Sequence, residues 1–445
     1  MKVRILLFGA WISAVCSGQT MVTLEDCVRA GLESNPSLAV AEADARSAKE
    51  DASQALASFF PSVDASGSFR RQSMVPKLEF PEIVLPWSSG PPVSLFPEGG
   101  MFLGVRDQTD LRLTATQPLF TGFRLVHAKR AADAAASARA AEVHARRGEC
   151  VQTVEAAYGG CLKARKLLDI AKSGREQVGA HLSDVERFYE QGLIKRDELL
   201  KARVKRTEAE LAVLRAENAV QLADAFLQNA MGRPLPAGAV LSDVKPEPAV
   251  SADLETSIGL AEQARPELAG ARFAVKAAEA GKGAAAGRWF PSVAAFGALG
   301  YGKPGLNFIG GEWMDYWLVG AGLEWNLWEW GKTRSRHRQA SLLAGKMKDT
   351  ERKIREAVVL DVTAAVLRLE EAGKRLALVT EMEAQASEGF RVAENLYKQG
   401  QSSHSEFFDA QSEWDRSRTL KAQAEIDVFM ARSAWRKAVG KNNYH

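Results

Sequence analysis

The chain has 445 residues, 46% of them apolar and 25% charged, which excludes a disordered polymer and leaves room for two or three ordinary domains or one large repeated one. Its 58 basic and 55 acidic residues leave a formal net charge of +3, a balance without a nucleic-acid signature. Residues 1–20 read as a secretory signal: Lys2 and Arg4 precede an apolar run from Ile5 to Val15, and small Ser17 and Gly18 follow. A lipid-anchored Cys16 is the competing reading, and Val15 before it fits a lipoprotein signal poorly. No later stretch reaches about 18 consecutive apolar residues, so no transmembrane helix is expected. Cys27, Cys150 and Cys161 remain in the exported chain. Cys150 and Cys161 fall in one helical pattern at a separation of roughly 16 Å, beyond disulfide reach. All three read as small core residues, and no spacing suggests a metal site.

Residues 23–57 are expected to be helical with a break at Asn35-Pro36, because proline drives the residue before it out of the helical region. Thr23 and Asp26 have the spacing of a capping box. After Phe59-Phe60-Pro61 the period changes to two: Val63, Ala65, Gly67 and Phe69 alternate with Asp64, Ser66, Ser68 and Arg70. Leu111, Leu113 and Ala115 form the second such run. Between them lies a segment with Pro76, Pro81, Pro86, Pro91, Pro92 and Pro97, expected to be an exposed loop; a self-packed loop is the leading reading for its Trp87 and Phe96, contact with a partner the alternative. A helical pattern returns after Gly122 and persists to about Arg187; Gly159-Gly160 is a candidate bend. The turn Tyr189-Glu-Gln-Gly192 reverses the chain into a helix over 197–230. Leu200, Val204, Thr207, Leu211 and Leu214 alternate spacings of four and three, an oily stripe of coiled-coil type. Residues 233–252 form a linker.

The second half repeats the first. Pro266 and Pro291 stand 25 residues apart, as do Pro36 and Pro61. Tyr397-Lys-Gln-Gly400 and Gly440 follow Tyr189 and Gly232 at an offset of 208 residues. Alternating runs lie at Val293–Tyr301 and Trp317–Leu327. The fold class is therefore α+β, mainly α: a duplicated unit of helix, strand pair and long helical hairpin. The expected layout is 1–20 signal peptide, 21–232 first repeat, 233–252 linker, 253–440 second repeat and 441–445 tail.

Strands with one wet and one oily face pose a question of what covers them. Phe59, Phe60, Phe120, Trp289, Phe290, Trp325 and Trp328 sit where strands meet helices, as in an aromatic belt at a membrane interface. A sandwich core is the alternative, but four strands alone make neither a closed barrel nor a large sandwich. Basic clusters, Arg124, Lys129 and Arg130 and then Lys332, Arg334, Arg336 and Arg338, open the long helices against the macrodipole, and lipid headgroups could compensate.

Asn35-Pro-Ser-Leu38, the aromatic-Pro-Ser-Val pairs at Pro61 and Pro291, Gln117-Pro-Leu-Phe-Thr-Gly122 and the two Tyr-x-Gln-Gly turns together resemble the TolC-type outer-membrane efflux proteins, over about Thr23 to Gly440. The resemblance implies a homotrimer in the cell outer membrane, with a 12-stranded β-barrel and a periplasmic 12-helix α-barrel. It implies a passive exit duct of a tripartite efflux or type I secretion system, opened by a periplasmic adaptor and an inner-membrane pump. Gly192 and Gly400 would mark the periplasmic tips; Glu406, Asp409, Glu198 and Tyr397 would form the pore constriction. Where the family carries a basic residue two past the second tip glycine, Ser402 stands here. Capping of a helix N-terminus is the alternative role for Glu406. No catalytic constellation, phosphate-binding loop or cofactor motif appears, and the six histidines show no zinc-binding spacing. A soluble periplasmic coiled-coil adaptor is the alternative function from another class.

Overall fold

The computed structural model describes residues 21–79, 84–85, 93–94, 101–236, 238–244, 252–307 and 311–441. The expected signal peptide, Cys16, Trp87 and Phe96 lie outside the described residues. The chain divides into two compact units, one built from 1–43, 140–269 and 352–445 and the other from 44–139 and 270–351. Each unit therefore draws on both sequence repeats.

The second unit is organised by a four-stranded antiparallel sheet. Its strands are β2 (Ser62–Arg71), β7 (Asp107–Phe120), β9 (Ser292–Lys303) and β10 (Met314–Glu324), in the order β10-β9-β7-β2. The halves join through β7 and β9, so β2 and β10 are left as edges. Register turns the four alternations into two continuous faces. Ala65, Leu113, Leu299 and Trp317 lie opposite one another in a row, as do Val63, Ala115, Gly297 and Val319. The row between them is Asp64, Thr114, Ala298 and Leu318. Apolar side chains thus gather on one face, while Asp64, Ser66, Arg112, Thr114 and Thr116 fall on the other. The apolar face is bare in the single chain: Trp317 is 71% and Val319 73% exposed.

The described residues of the Pro-rich excursion include two short ladders. Lys77–Leu78 (β3) pairs with Met101–Phe102 (β6), and Val84–Leu85 (β4) with Val93–Ser94 (β5), both antiparallel. Such two-residue ladders carry no readable alternation, which is why the sequence shows only a loop.

In the first unit the expected break is present. Thr23 caps α1 (Leu24–Ser34) in a full capping box with Asp26. Asn35 ends α1 and starts α2 (Pro36–Ala57), its side-chain oxygen accepting from the Ser37 amide at 2.8 Å. In the second half the corresponding joint, between α5 (Leu254–Ala264) and α6 (Pro266–Ala286), is held differently. Arg265, 6% exposed, donates to Asp361 at 2.8 Å and to Glu267 at 3.2 Å. Each half then has one 67-residue helix, α3 (Arg124–Glu190) and α7 (Lys332–Lys398), and one return helix, α4 (Arg196–Met231) and α8 (His404–Ala438). Helix α3 runs unbroken through Gly159, where a Cβ would stand 3.3 Å from the Ile426 Cγ2 on α8. The glycine serves close packing, not a bend.

One core of this unit centres on Cys27, Val151, Val154, Tyr158, Cys161, Leu227 and Ile426. A two-residue parallel ladder between Met21–Val22 (β1) and Val240–Leu241 (β8) closes it. The Tyr158 hydroxyl ties that ladder down, reaching the Ser242 carbonyl at 2.7 Å and the Val22 carbonyl at 3.2 Å. Burial pushes the Cys27 thiol up to about 11 and the Cys161 thiol up to about 12, so both stay protonated, as small core residues should. Buried Glu155 on α3 accepts from Arg436 at 2.9 Å and from the Ser433 hydroxyl, pinning α3 to α8.

The α4 stripe departs from the simplest reading of its pattern. Leu199, Ala202 and Val213 are the buried residues of that stretch. Leu200, Val204, Leu211 and Leu214 point outward and are 44–56% exposed. The stripe is an uncovered face of this chain, not the seam of its own hairpin.

Candidate functional site

Two regions carry functional geometry, the sheet with its aromatic ends and the turns that join the long helices. All seven expected interface aromatics flank one end of the sheet, since Ser62 pairs with Thr116 and Ser292 with Glu324 there. Trp289, Phe290, Trp325 and Trp328 are 46–72% exposed. The Trp325 indole donates to the Trp289 carbonyl at 3.2 Å, and Gln117 bridges back to the Phe59 carbonyl at 2.8 Å. Both strand-to-helix transitions place an aromatic residue and a glycine in left-handed backbone, Gly122-Phe123 and Trp330-Gly331. On the polar face Tyr316 donates to Asp110 at 2.9 Å and Arg112 to the Tyr316 hydroxyl at 3.0 Å.

The two helical turns are built alike. Gly192 has φ 69° and Gly400 φ 71°, which only glycine adopts without strain. At the first, the Gly192 amide bonds the Tyr189 carbonyl and the Leu193 amide the Phe188 carbonyl, both at 2.9 Å. At the second, Gly400 bonds Tyr397 and Gln401 bonds Leu396, also at 2.9 Å. This is the Schellman arrangement at both helix ends.

Beyond the turns the copies diverge. Lys195 precedes α4 with no side-chain cap, whereas Ser403 and Glu406 form a complete capping box on α8. The Glu406 carboxylate accepts from the Ser403 amide at 2.9 Å and from the Ser402 hydroxyl at 2.7 Å. The Ser403 amide, the Ser402 hydroxyl and the Ser403 hydroxyl hold its carboxyl below the usual range. Ser402 thus serves the cap. Glu198 pairs with Lys201 at 3.2 Å, and Asp409 is exposed on α8. Tyr397 is half-buried, and burial pushes its phenol up to about 12.

Scattered in the sequence, two histidines meet here. His181 on α3 is buried at 4% exposure, and its Nε2 lies 3.1 Å from His404 Nδ1. The His181 ring stacks on Phe407 at 4.3 Å and touches the rings of Phe408 and Tyr397. One cue was present: His181 shares the apolar helical register of Val178 and Val185, both buried. Among the described residues no group of three or more His, Cys, Asp or Glu is placed to hold a metal ion, and no helix is long and apolar enough to cross a membrane.

The outer membrane efflux protein family model matches residues 28–233 and 257–441. The chain belongs to that family; it is an outer-membrane efflux protein, and the soluble adaptor reading finds no support. No curated protein sequence matches it. Among solved structures it is similar to the outer membrane protein VceC of Vibrio cholerae, with TM-score 0.76, 19% identity, and coverage of 94% of this chain and 96% of that one. It is also similar to the CmeC outer membrane channel of Campylobacter jejuni, with TM-score 0.78, 16% identity, and coverage of 94% and 85%. A third likeness is to the open state of the Neisseria gonorrhoeae MtrE outer membrane channel, with TM-score 0.74, 18% identity, and coverage of 95% and 91%.

Proposed function

We propose that three copies of this chain close a twelve-stranded barrel and a twelve-helix periplasmic tunnel, a passive exit duct opened by an adaptor and an inner-membrane pump. The observation that carries the reading is the pair of open edges, β2 and β10, on a sheet whose apolar face is bare. In a bilayer unpaired backbone groups cost several kcal/mol each, so a spanning sheet must close on itself. Strands of 10–14 residues suit a bilayer core. The exposed leucine stripe of α4 supports the same assembly, because a helical barrel supplies neighbours on both sides of every hairpin.

In this account residues 1–20 are removed on export, 21–232 and 253–440 each supply a pair of strands, one sixth of the barrel, and a hairpin, and 233–252 links them. The seven aromatics anchor one membrane interface. Gly192 and Gly400 mark the periplasmic tips. Glu198, Tyr397, Glu406 and Asp409 form the constriction, with Asp409 the carboxylate free to face the pore and Glu406 engaged first in its cap. Three Asp409 carboxylates at one level attract cations. Conductance in planar bilayers tests this: Asp409→Ala is expected to lower cation preference and widen the constriction. Unchanged current and selectivity would remove Asp409 from it.

A further inference from the structure

We infer that the His181–His404 contact is a proton-released latch that holds the α3 and α8 ends together at the helical tips and lets go in acid. The inference rests on the channel reading for its consequence, opening of the duct, but the latch itself stands on the contact geometry.

The two imidazoles join different hairpins. His181 lies on α3, and His404 is the first residue of α8. Their nitrogens face each other at 3.1 Å, inside a cluster of Tyr397, Phe407 and Phe408 rings. A hydrogen bond between two imidazoles needs one N–H and one lone pair. Each element packed around the pair brings titratable groups near it. On α3, Asp184 is bonded to Arg187. On α4, Glu198 is paired with Lys201 at 3.2 Å. From α7 the facing titratable group is the Tyr397 phenol, whose hydroxyl has no hydrogen-bond partner. On α8, Glu406 is turned onto its own cap.

The protons then add in order. Burial lowers the His404 imidazole too, but Glu198 opposes that and His404 is less buried than His181, so His404 takes the first. Its Nδ1–H donates to the His181 Nε2 lone pair, and the contact survives. The second proton must occupy that lone pair. It converts the bond into two N–H groups, on two cations, in an apolar cluster, and the pair must separate. Burial, with His404 adding to it, sets this step low, the His181 imidazole being pushed down to about 4. The latch is therefore closed at neutral pH and opens only well below the ordinary imidazole range, in a two-proton step.

Two measurements on the full-length protein in detergent or bilayer test this. Planar-bilayer conductance is expected to stay flat from pH 7 to about 6 and to rise severalfold toward pH 4, since the ordinary imidazole value is about 6.5. In His181→Gln, which accepts a hydrogen bond but cannot take the second proton, that rise is expected to vanish. The variant keeps every tip carboxylate, so only the histidine's share of the rise is removed. An identical rise in His181→Gln, or a flat wild type, overturns the latch. Carbon-13 histidine spectra of the wild-type protein need no variant to fold. His404 is expected to titrate first and His181 to stay neutral below pH 5; a single ordinary step for His181 overturns the inference. Absence of conductance at every pH would instead break the channel reading, with the histidine spectra still deciding the latch.

Discussion

At the residue scale, the glycines that end helices differ in what surrounds them. Gly400 has open space around a would-be Cβ, so Gly400→Ala costs only backbone strain, about 1–2 kcal/mol. Gly440 has φ 78°, and its Cβ would lie 2.9 Å from the Ala264 carbonyl carbon, an atom of the backbone that cannot yield cheaply. Thermal melts in detergent should show Gly440→Ala the more destabilised of the two; equal shifts would mean that the close approach to Ala264 is relieved without cost. His181 gives a pH dependence with a definite sign. Its folded-state pKa lies near 4, below the ordinary 6.5. The unfolded chain therefore binds the proton first as pH falls. Stability from this group is complete above about 6.5 and is lost toward pH 4, up to roughly 3 kcal/mol. Urea melts at pH 7 and pH 5 should show His181→Phe losing part of the wild-type acid sensitivity, and unchanged sensitivity would place it elsewhere.

At the element scale, the sheet makes the two faces of each strand unequal. Val319 lies on the apolar face, two rows from Trp317, and Thr114 on the polar one. Lysine on a lipid face costs about 2–4 kcal/mol near the midplane and little toward the lumen. Val319→Lys should reduce membrane-integrated protein in alkaline-washed membranes, while Thr114→Lys should leave it near wild type. The reverse order would exchange the faces. These alternations were legible because a period of two survives in Val63–Phe69 and Trp317–Leu327 without any tertiary knowledge. The two-residue ladders at Val22, Lys77 and Val84 were not, since pairing that short leaves no pattern. Nor was the β7–β9 junction, which joins strands nearly two hundred residues apart. Among site residues, the tip glycines and the Glu406 cap could be read from local spacing. The His181–His404 contact could not, because 223 residues separate its members.

At the scale of the whole molecule, a duplicated chain supplies a four-stranded sheet with two open edges, and helices that leave an apolar stripe uncovered. Repetition of the same surface around a closed ring satisfies edges, stripe and lipid face together, whereas a single copy satisfies none. Native mass spectrometry of protein extracted in mild detergent tests that closure most directly. The account predicts three chains in one particle that requires detergent to remain dispersed. A single chain that stays monodisperse in plain buffer would contradict it.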